Sequence, residues 1–175
     1  MAGFYVNNNV GIALRCFAVG IFGGLGSAFY LVDNGLSIGA VLGYVSSQGA
    51  GANIATFIVG HGSLELTAIV LAGGAGLVLG WSVVSPGGRT RAASLRSAGR
   101  DVAAIVFGAA VMLMMAACIE AFWSASGIPS PVKRLVGAAL WTLVLSYFVL
   151  VGRTSKRPET GSAVRPAAPP GATWT

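Results

Sequence analysis

Long apolar stretches, separated by short polar segments, make up most of this chain. Their lengths predict helices over about residues 10–31, 61–84, 101–122 and 135–151, since roughly 20 apolar residues cross a bilayer as a helix. The clearest of them begins at His61 and ends before a Pro-Gly-Gly turn. The turn-forming residues Asp33, Asn34 and Gly35 are expected to end the first helix.

Residues 35–60 have a weaker apolar pattern, because a polar segment over 46–53 interrupts it. Two interpretations fit this region. It forms one poorly apolar span, which we expect, or two short helices that dip into the membrane and return. The predicted fold is therefore all-α: a polytopic transmembrane helix bundle of four to five membrane segments, in which 35–60 is the short or re-entrant candidate.

Composition supports a membrane protein. The chain has 175 residues, of which 55% are hydrophobic and 9% charged, too few charges for a soluble domain of this size. The net charge of +6 comes from basic clusters that lie mainly outside the apolar stretches, a pattern typical of cytoplasmic loops. We therefore expect a transmembrane helical domain over 1–151, a cytoplasmic loop over 85–100, and a disordered basic, Pro/Ala-rich cytoplasmic tail over 152–175.

Glycines spaced four residues apart predict close contacts between helices, because a glycine allows two backbones to approach each other. This spacing occurs in three of the apolar segments. The expected helix-packing residues are Gly20, Gly24, Gly35, Gly39, Gly43, Gly76 and Gly80.

Ionisable residues within apolar stretches are the candidate functional residues, because a charge in hydrocarbon is costly and should face protein or water. His61 and Glu65 have i, i+4 spacing and share one helical face. The predicted orientation places both at the outer end of their helix, and Glu120 reaches a similar level on the next helix. Arg15 joins this polar cluster if 35–60 spans the membrane once, and lies on the opposite side if 35–60 is re-entrant.

Three interpretations of the cluster are open: a structural knot that pins the helices, a position for an ion, proton or substrate, or a metal or catalytic site. The sequence HGSLE lacks the second histidine of a zinc-protease HExxH helix, and no nucleophile or phosphate-loop motif is evident. We therefore expect no enzymatic activity, no catalytic or metal-binding residues and no cofactor.

Three segments resemble the stage II sporulation protein M family of bacterial integral membrane proteins. They are HGSLELTAIVLAGGAGLVLG, which begins at His61, NNNVGIALRCFAVGIFGGLGS, which begins at Asn7, and AACIEAF, which contains Glu120. The resemblance covers roughly residues 4–125, with the segments in the same order. Family members usually have more sequence before the asparagines, so we expect a short or shortened homologue.

The resemblance implies a membrane scaffold with a role in bacterial envelope or peptidoglycan remodelling, acting with partner proteins. It also implies a multi-pass protein of the bacterial inner (plasma) membrane. The alternative is a transporter or channel-like membrane component that uses the outer His/Glu cluster. Expected partners are membrane lipids and other membrane or envelope proteins, without nucleic acid, and the glycine-rich faces make a homo-oligomer plausible.

Overall fold

The computed structural model describes the backbone of residues 2–154 and the side chains of residues 8–151. Within this range the regular secondary structure is entirely helical, which confirms the all-α prediction. The helices are α1 (Ala2–Ala18), α2 (Leu25–Ser47), α3 (Gly51–Ile58), α4 (Gly62–Val84), α5 (Arg91–Cys118) and α6 (Ser130–Thr154). A 3₁₀ turn (Val19–Ile21) follows α1, and a π-helical segment (Ile119–Ser124) extends α5.

Four helices in the described part of the chain are long and apolar enough to cross a membrane. Their spans are Leu25–Ser47, Gly62–Val84, Arg91–Ser124 and Ser130–Val151, and a shorter apolar helix covers Asn8–Ile21. Large apolar side chains point outward along these helices, as expected for a surface in contact with lipid. The prediction of a polytopic helix bundle with four to five membrane segments is confirmed.

Helix α4 lies at the centre of the bundle and packs on α1, α2, α5 and α6. Leu31 of α2 lies against Gly73 of α4, whereas Gly24, which precedes α2, lies near Leu77 and Gly80. Helix α2 is therefore antiparallel to α4, and α1 is parallel to it. We call the end at which α4 begins the His61 end, and the end at which α4 connects to α5 the loop end.

Small residues line the face of α4 that packs on its neighbours. Ala68, Ala72 and Ala75 are buried. Gly76 has no room for a Cβ atom, because the hydroxyl of Ser27 and backbone oxygens of α1 occupy that position. On the opposite side of α4, Val70 is 61% exposed. The helix thus has one close-packed face and one face directed toward lipid.

The first helix is shorter than predicted, because the chain reverses direction at two adjacent glycines. Gly23 and Gly24 have φ angles of 66° and 84°, a left-handed conformation that other residues rarely adopt. Helix α1 therefore ends at Ala18, and the chain returns through α2. The predicted single helix over 10–31 is wrong.

Helix α2 continues through Asp33, Asn34 and Gly35, where the turn-forming residues predicted a helix end. A break inside a membrane would leave backbone N–H and C=O groups without hydrogen-bond partners. That cost outweighs the weak helix propensity of these three residues. Both interpretations of 35–60 are consequently wrong in their boundaries: residues 35–47 complete α2, and α3 is a short helix that leads into α4.

Other boundaries also differ from the prediction. The connection between α4 and α5 covers 85–90 rather than 85–100, because the Thr90 hydroxyl accepts a hydrogen bond from the Ala93 amide at 3.2 Å and caps α5. Helix α6 begins at Ser130 and continues to Thr154. The remainder of the predicted tail, 155–175, lies outside the described residues.

Candidate functional site

Three ionisable side chains from two segments meet at the His61 end of the bundle. His61, Glu65 and Glu120 each offer one ligand atom, and these atoms all lie within 4.8 Å of one another. The Nε2 atom of His61 lies 3.9 Å from Oε2 of Glu65. His61 is 4% exposed and Glu120 is 7% exposed. The structure therefore gathers three of the four proposed cluster residues, two of them buried and Glu65 half-buried, and we call them the His61–Glu65–Glu120 cluster.

Local helix geometry positions these side chains. His61 immediately precedes α4, and Glu65 lies in the first turn of that helix. Glu120 lies in the π-helical segment that follows α5. A π-helix has a wider turn than an α-helix and is frequently found at functional sites. The segment presents both Glu120 and Ser124 to the beginning of α4.

The imidazole of His61 is held from two sides. Its Nδ1 atom lies 3.1 Å from the hydroxyl oxygen of Ser124 in a buried hydrogen bond. Its ring makes an edge-to-face contact with Phe57, with ring centroids 5.4 Å apart. Burial lowers the pKa of His61, which precedes the Gly62–Val84 span, to about 4. The imidazole is therefore neutral near pH 7, and its contact with Glu65 is not an ion pair.

Lys133 is a buried cation beside the cluster, and the sequence analysis did not identify it. Its Nζ atom donates hydrogen bonds to the carbonyl oxygens of Ser124 at 2.8 Å and Ser126 at 2.7 Å. The adjacent Arg134 donates from Nε to the hydroxyl of Thr56 at 3.1 Å. These contacts give both basic residues a structural role at the His61 end. The sequence feature that could have indicated this role is a pair of basic residues at the start of an apolar helix.

Arg15 does not join the cluster. It lies in the last turn of α1 and is exposed. The carbonyl oxygen of the adjacent Cys16 lies against Gly76, which is 11 residues beyond Glu65 on α4. Arg15 is one residue nearer, so at about 1.5 Å per residue it lies roughly 15 Å from the cluster along the bundle. The prediction failed because α1 begins at Ala2 and ends at Ala18, so Arg15 lies in its last turn rather than near its start.

The cluster contains unused hydrogen-bonding capacity. The Oε2 atom of Glu120 is buried and has no hydrogen-bond partner among the described groups. A pocket of about 130 Å³ opens beside His61 and Glu65. Its other lining residues are Ile38, Leu42, Ile58, Gly62 and Leu66. A buried carboxylate oxygen without a partner is unfavourable, so the cluster has room for a bound cation or a proton.

The predicted packing glycines divide into two groups. Gly20 and Gly24 lie against Gly76 and Gly80, and a Cβ atom at Gly20, Gly76 or Gly80 would overlap backbone atoms of the facing segment. The other three lie on α2 and have no described heavy atom within 4 Å of a Cβ position. They are Gly35, Gly39 and Gly43. The glycine stripe of α2 therefore makes no close helix contact within the described part of the chain.

Comparison with protein families agrees with this architecture. The model of the family described as Stage II sporulation protein M matches residues 1–125. The chain belongs to the stage II sporulation protein M family. The matched region contains α1 to α5 and all three residues of the cluster, whereas α6 lies beyond it. Comparison with curated proteins and with solved structures gives no match.

The geometry limits the chemistry of this family member. In a hydrolase triad, a serine hydroxyl bonds to a histidine, and the histidine bonds to a carboxylate. Ser124, His61 and Glu65 follow one another in the same order here. The 3.9 Å contact between His61 and Glu65 is too long for a hydrogen bond, and Ser124 is 5% exposed. The arrangement suits binding of a cation or proton better than attack on an external substrate.

Proposed function

We propose that this protein is a non-enzymatic membrane scaffold for remodelling of the bacterial envelope or its peptidoglycan, and that it acts in the inner membrane with partner proteins. The match of residues 1–125 to the stage II sporulation protein M family carries this proposal. The short connections support it, since the segments 48–61, 85–90 and 125–129 between spans leave little described chain outside the membrane.

Peptidoglycan lies outside the bilayer, so a chain of this shape acts on it through other proteins. The one Ser-His-Glu arrangement in the described residues is buried within the bundle and lacks triad geometry. A partner with a domain outside the membrane would supply the chemistry. The bundle would supply a membrane site at which that partner is held.

The experiment is isolation of the tagged chain in mild detergent from the bacterium that encodes it, followed by an assay of peptidoglycan cleavage. We expect the isolated complex to release muropeptides, and the same chain purified from a heterologous host to release none. We also expect deletion of the gene to alter fluorescent D-amino-acid labelling of the wall. Cleavage by the chain alone would identify an enzyme. An inactive complex together with unchanged wall labelling would contradict the scaffold role.

A second candidate function is that of a transporter or channel-like component. The pocket beside His61 and Glu65 favours it, because the pocket brings space next to ionisable groups inside the bundle. Reconstituted liposomes should then show cation or proton flux that Glu65→Gln abolishes and Asp101→Asn, at an exposed carboxylate of α5, leaves unchanged. Equal flux in liposomes with and without the protein would exclude this candidate.

A further inference from the structure

We propose that His61, Glu65 and Glu120 together bind one divalent transition-metal ion of the Zn²⁺ or Mn²⁺ class. The site would use Nε2 of the histidine and one oxygen from each carboxylate. This proposal is independent of the scaffold role, because it concerns what the cluster holds and not what the protein assembles.

The donor set suits such an ion. Imidazole nitrogen favours transition metals, and carboxylate oxygen is accepted by both Zn²⁺ and Mn²⁺. An ion at the centre of a triangle with 4.8 Å sides would lie about 2.8 Å from each corner, compared with about 2.1 Å in zinc sites. Movement of each ligand atom by about 0.7 Å therefore completes the coordination shell. Three protein ligands leave at least one coordination position for water.

The surroundings of His61 match those of a metal ligand. A metal-bound histidine typically uses its other ring nitrogen in a hydrogen bond that fixes its orientation. The Nδ1 atom of His61 makes this bond to Ser124 at 3.1 Å, which leaves Nε2 free to face the carboxylates. Lys133 in turn holds the carbonyl of Ser124. The ligand is thus positioned by a second layer of contacts.

An independent observation is the free oxygen of Glu120. The residue is 7% exposed, and its Oε2 atom has no hydrogen-bond partner among the described groups. Two ionised carboxylates with a neutral histidine would leave negative charge within the bundle, and Lys133 is committed to two carbonyl oxygens. A divalent ion would both occupy the free oxygen and compensate the charge.

The test uses tag-free protein in detergent, stripped with a chelator, incubated with Zn²⁺ or Mn²⁺, desalted and analysed for metal content. We expect about one ion per chain in the wild type. Each of His61→Asn, Glu65→Gln and Glu120→Gln should lower the content at least tenfold, whereas Asp101→Asn should retain it. Substoichiometric metal in the wild type with both ions, or equal content in all variants, would overturn the proposal.

Thermal unfolding provides a second test, which distinguishes loss of metal binding from poor folding of a variant. In the wild type, Zn²⁺ or Mn²⁺ should raise the unfolding temperature and a chelator should reverse the rise. Glu120→Gln removes an unpaired carboxylate and should keep the metal-free unfolding temperature while losing the metal-dependent rise. A wild-type protein whose unfolding temperature responds to neither ion would also overturn the proposal.

A different observation concerns two charged residues on the lipid-facing surface. Asp33 of α2 is exposed, and the flanking Phe29, Val32 and Leu36 are 62–69% exposed. Arg15 of α1 is exposed as well. Neither charged side chain makes an ion pair or hydrogen bond with a group in the described part of the chain. An unpaired charge facing lipid is costly, so both require a partner.

The two charges lie at similar depth. Leu31 lies against Gly73, so Asp33, two residues further along α2, is near the middle of the α4 span. The carbonyl oxygen of Cys16 lies against Gly76, so Arg15 is level with the residue that precedes Gly76. These positions differ by about 6 Å along the bundle, which an arginine side chain can reach. A copy related by an axis normal to the membrane keeps every residue at its own depth.

We infer that a second copy of this chain covers the exposed face of α1 and α2, with Arg15 of each copy paired to Asp33 of the other. One copy carries both signs of charge, so a symmetric pair satisfies all four groups at once.

Energy transfer between donor-labelled and acceptor-labelled copies in liposomes tests this inference. We expect wild-type association, at least tenfold weaker association for Arg15→Glu and for Asp33→Lys, and recovery in the double variant R15E/D33K. Leu143→Phe, on the exposed face of α6, should leave association unchanged. A monomeric wild type, or no recovery in the double variant, would exclude the paired interface.

Discussion

The Nδ1 atom of His61 and the hydroxyl oxygen of Ser124, 63 residues apart in the chain, lie 3.1 Å from each other. This bond joins the beginning of α4 to the π-helical segment after α5. Lys133 holds the carbonyl of the same serine from the start of α6. Ser124 is thus the residue at which three segments of the bundle are connected beside the His61–Glu65–Glu120 cluster.

Loss of the Ser124 hydroxyl should destabilise the bundle. Ser124→Ala removes one buried hydrogen bond, so we expect the free energy of unfolding to fall by about 1 kcal/mol. Reversible unfolding in mixed detergent micelles measures this change. Ser47→Ala is the control, because its exposed hydroxyl bonds only locally, donating to the Tyr44 carbonyl and accepting from the Gln48 side chain. Equal stability of the two variants would show that the Ser124 bond contributes nothing.

The buried Lys133 should matter more than an exposed basic residue. Lys133→Met keeps the length of the side chain but leaves the carbonyl oxygens of Ser124 and Ser126 without their donor. We expect a loss of about 1–3 kcal/mol in the free energy of unfolding. Arg96→Met, at an exposed position of α5, should change it by less than about 0.5 kcal/mol. If both substitutions change the free energy of unfolding by the same amount, the ammonium group of Lys133 makes no stabilising hydrogen bonds.

Two neighbouring glycines of α4 should respond in opposite directions to the same substitution. Gly76→Ala places a methyl group against Ser27 and backbone oxygens of α1, so we expect a loss of about 1–3 kcal/mol. Gly74 has no described atom within 4 Å of a Cβ position, and Gly74→Ala should be neutral or stabilising by up to about 1 kcal/mol. Similar effects at both sites would contradict the packing of α1 on α4.

The reversal after α1 gives a further prediction. Gly23 has a φ angle of 66°, so Gly23→Ala should cost about 1–2 kcal/mol of folding free energy. Gly35 lies inside α2 with open space around it, so Gly35→Ala should stabilise the protein by up to about 1 kcal/mol. Thermal unfolding of both variants in detergent provides the comparison. A destabilised Gly35→Ala would mean that α2 is interrupted there, as the sequence pattern predicted.

The membrane class, the extent of α4 and its division into two faces could be read from the sequence, because hydropathy and spacing report directly on burial. The meeting of His61, Glu65 and Glu120 followed from the helical spacing and from the alternating direction of successive spans. These inferences need only the rough position of each helix.

The reversal at Gly23 and Gly24 was missed for a physical reason. A pair of glycines serves equally as a packing surface or as a turn, and the pattern of apolar residues is the same on both sides of it. At Asp33 the sequence predicted a helix end that does not occur, because its turn propensity is outweighed by the need to satisfy backbone hydrogen bonds in lipid. The roles of Ser124 and Lys133 depend on a π-helical turn, which the residue pattern does not predict.

Cross-linking tests the central claim, the contact between the start of α4 and the π-helical segment, most directly. In a chain without its native cysteines (C16A/C118A), H61C/S124C should be joined within one molecule by a short bifunctional thiol reagent, as detected by mass spectrometry of the linked peptides. The pair H61C/S85C spans the length of α4 and should remain unlinked. Failure of H61C/S124C to cross-link, or equal yields from both pairs, would contradict the account.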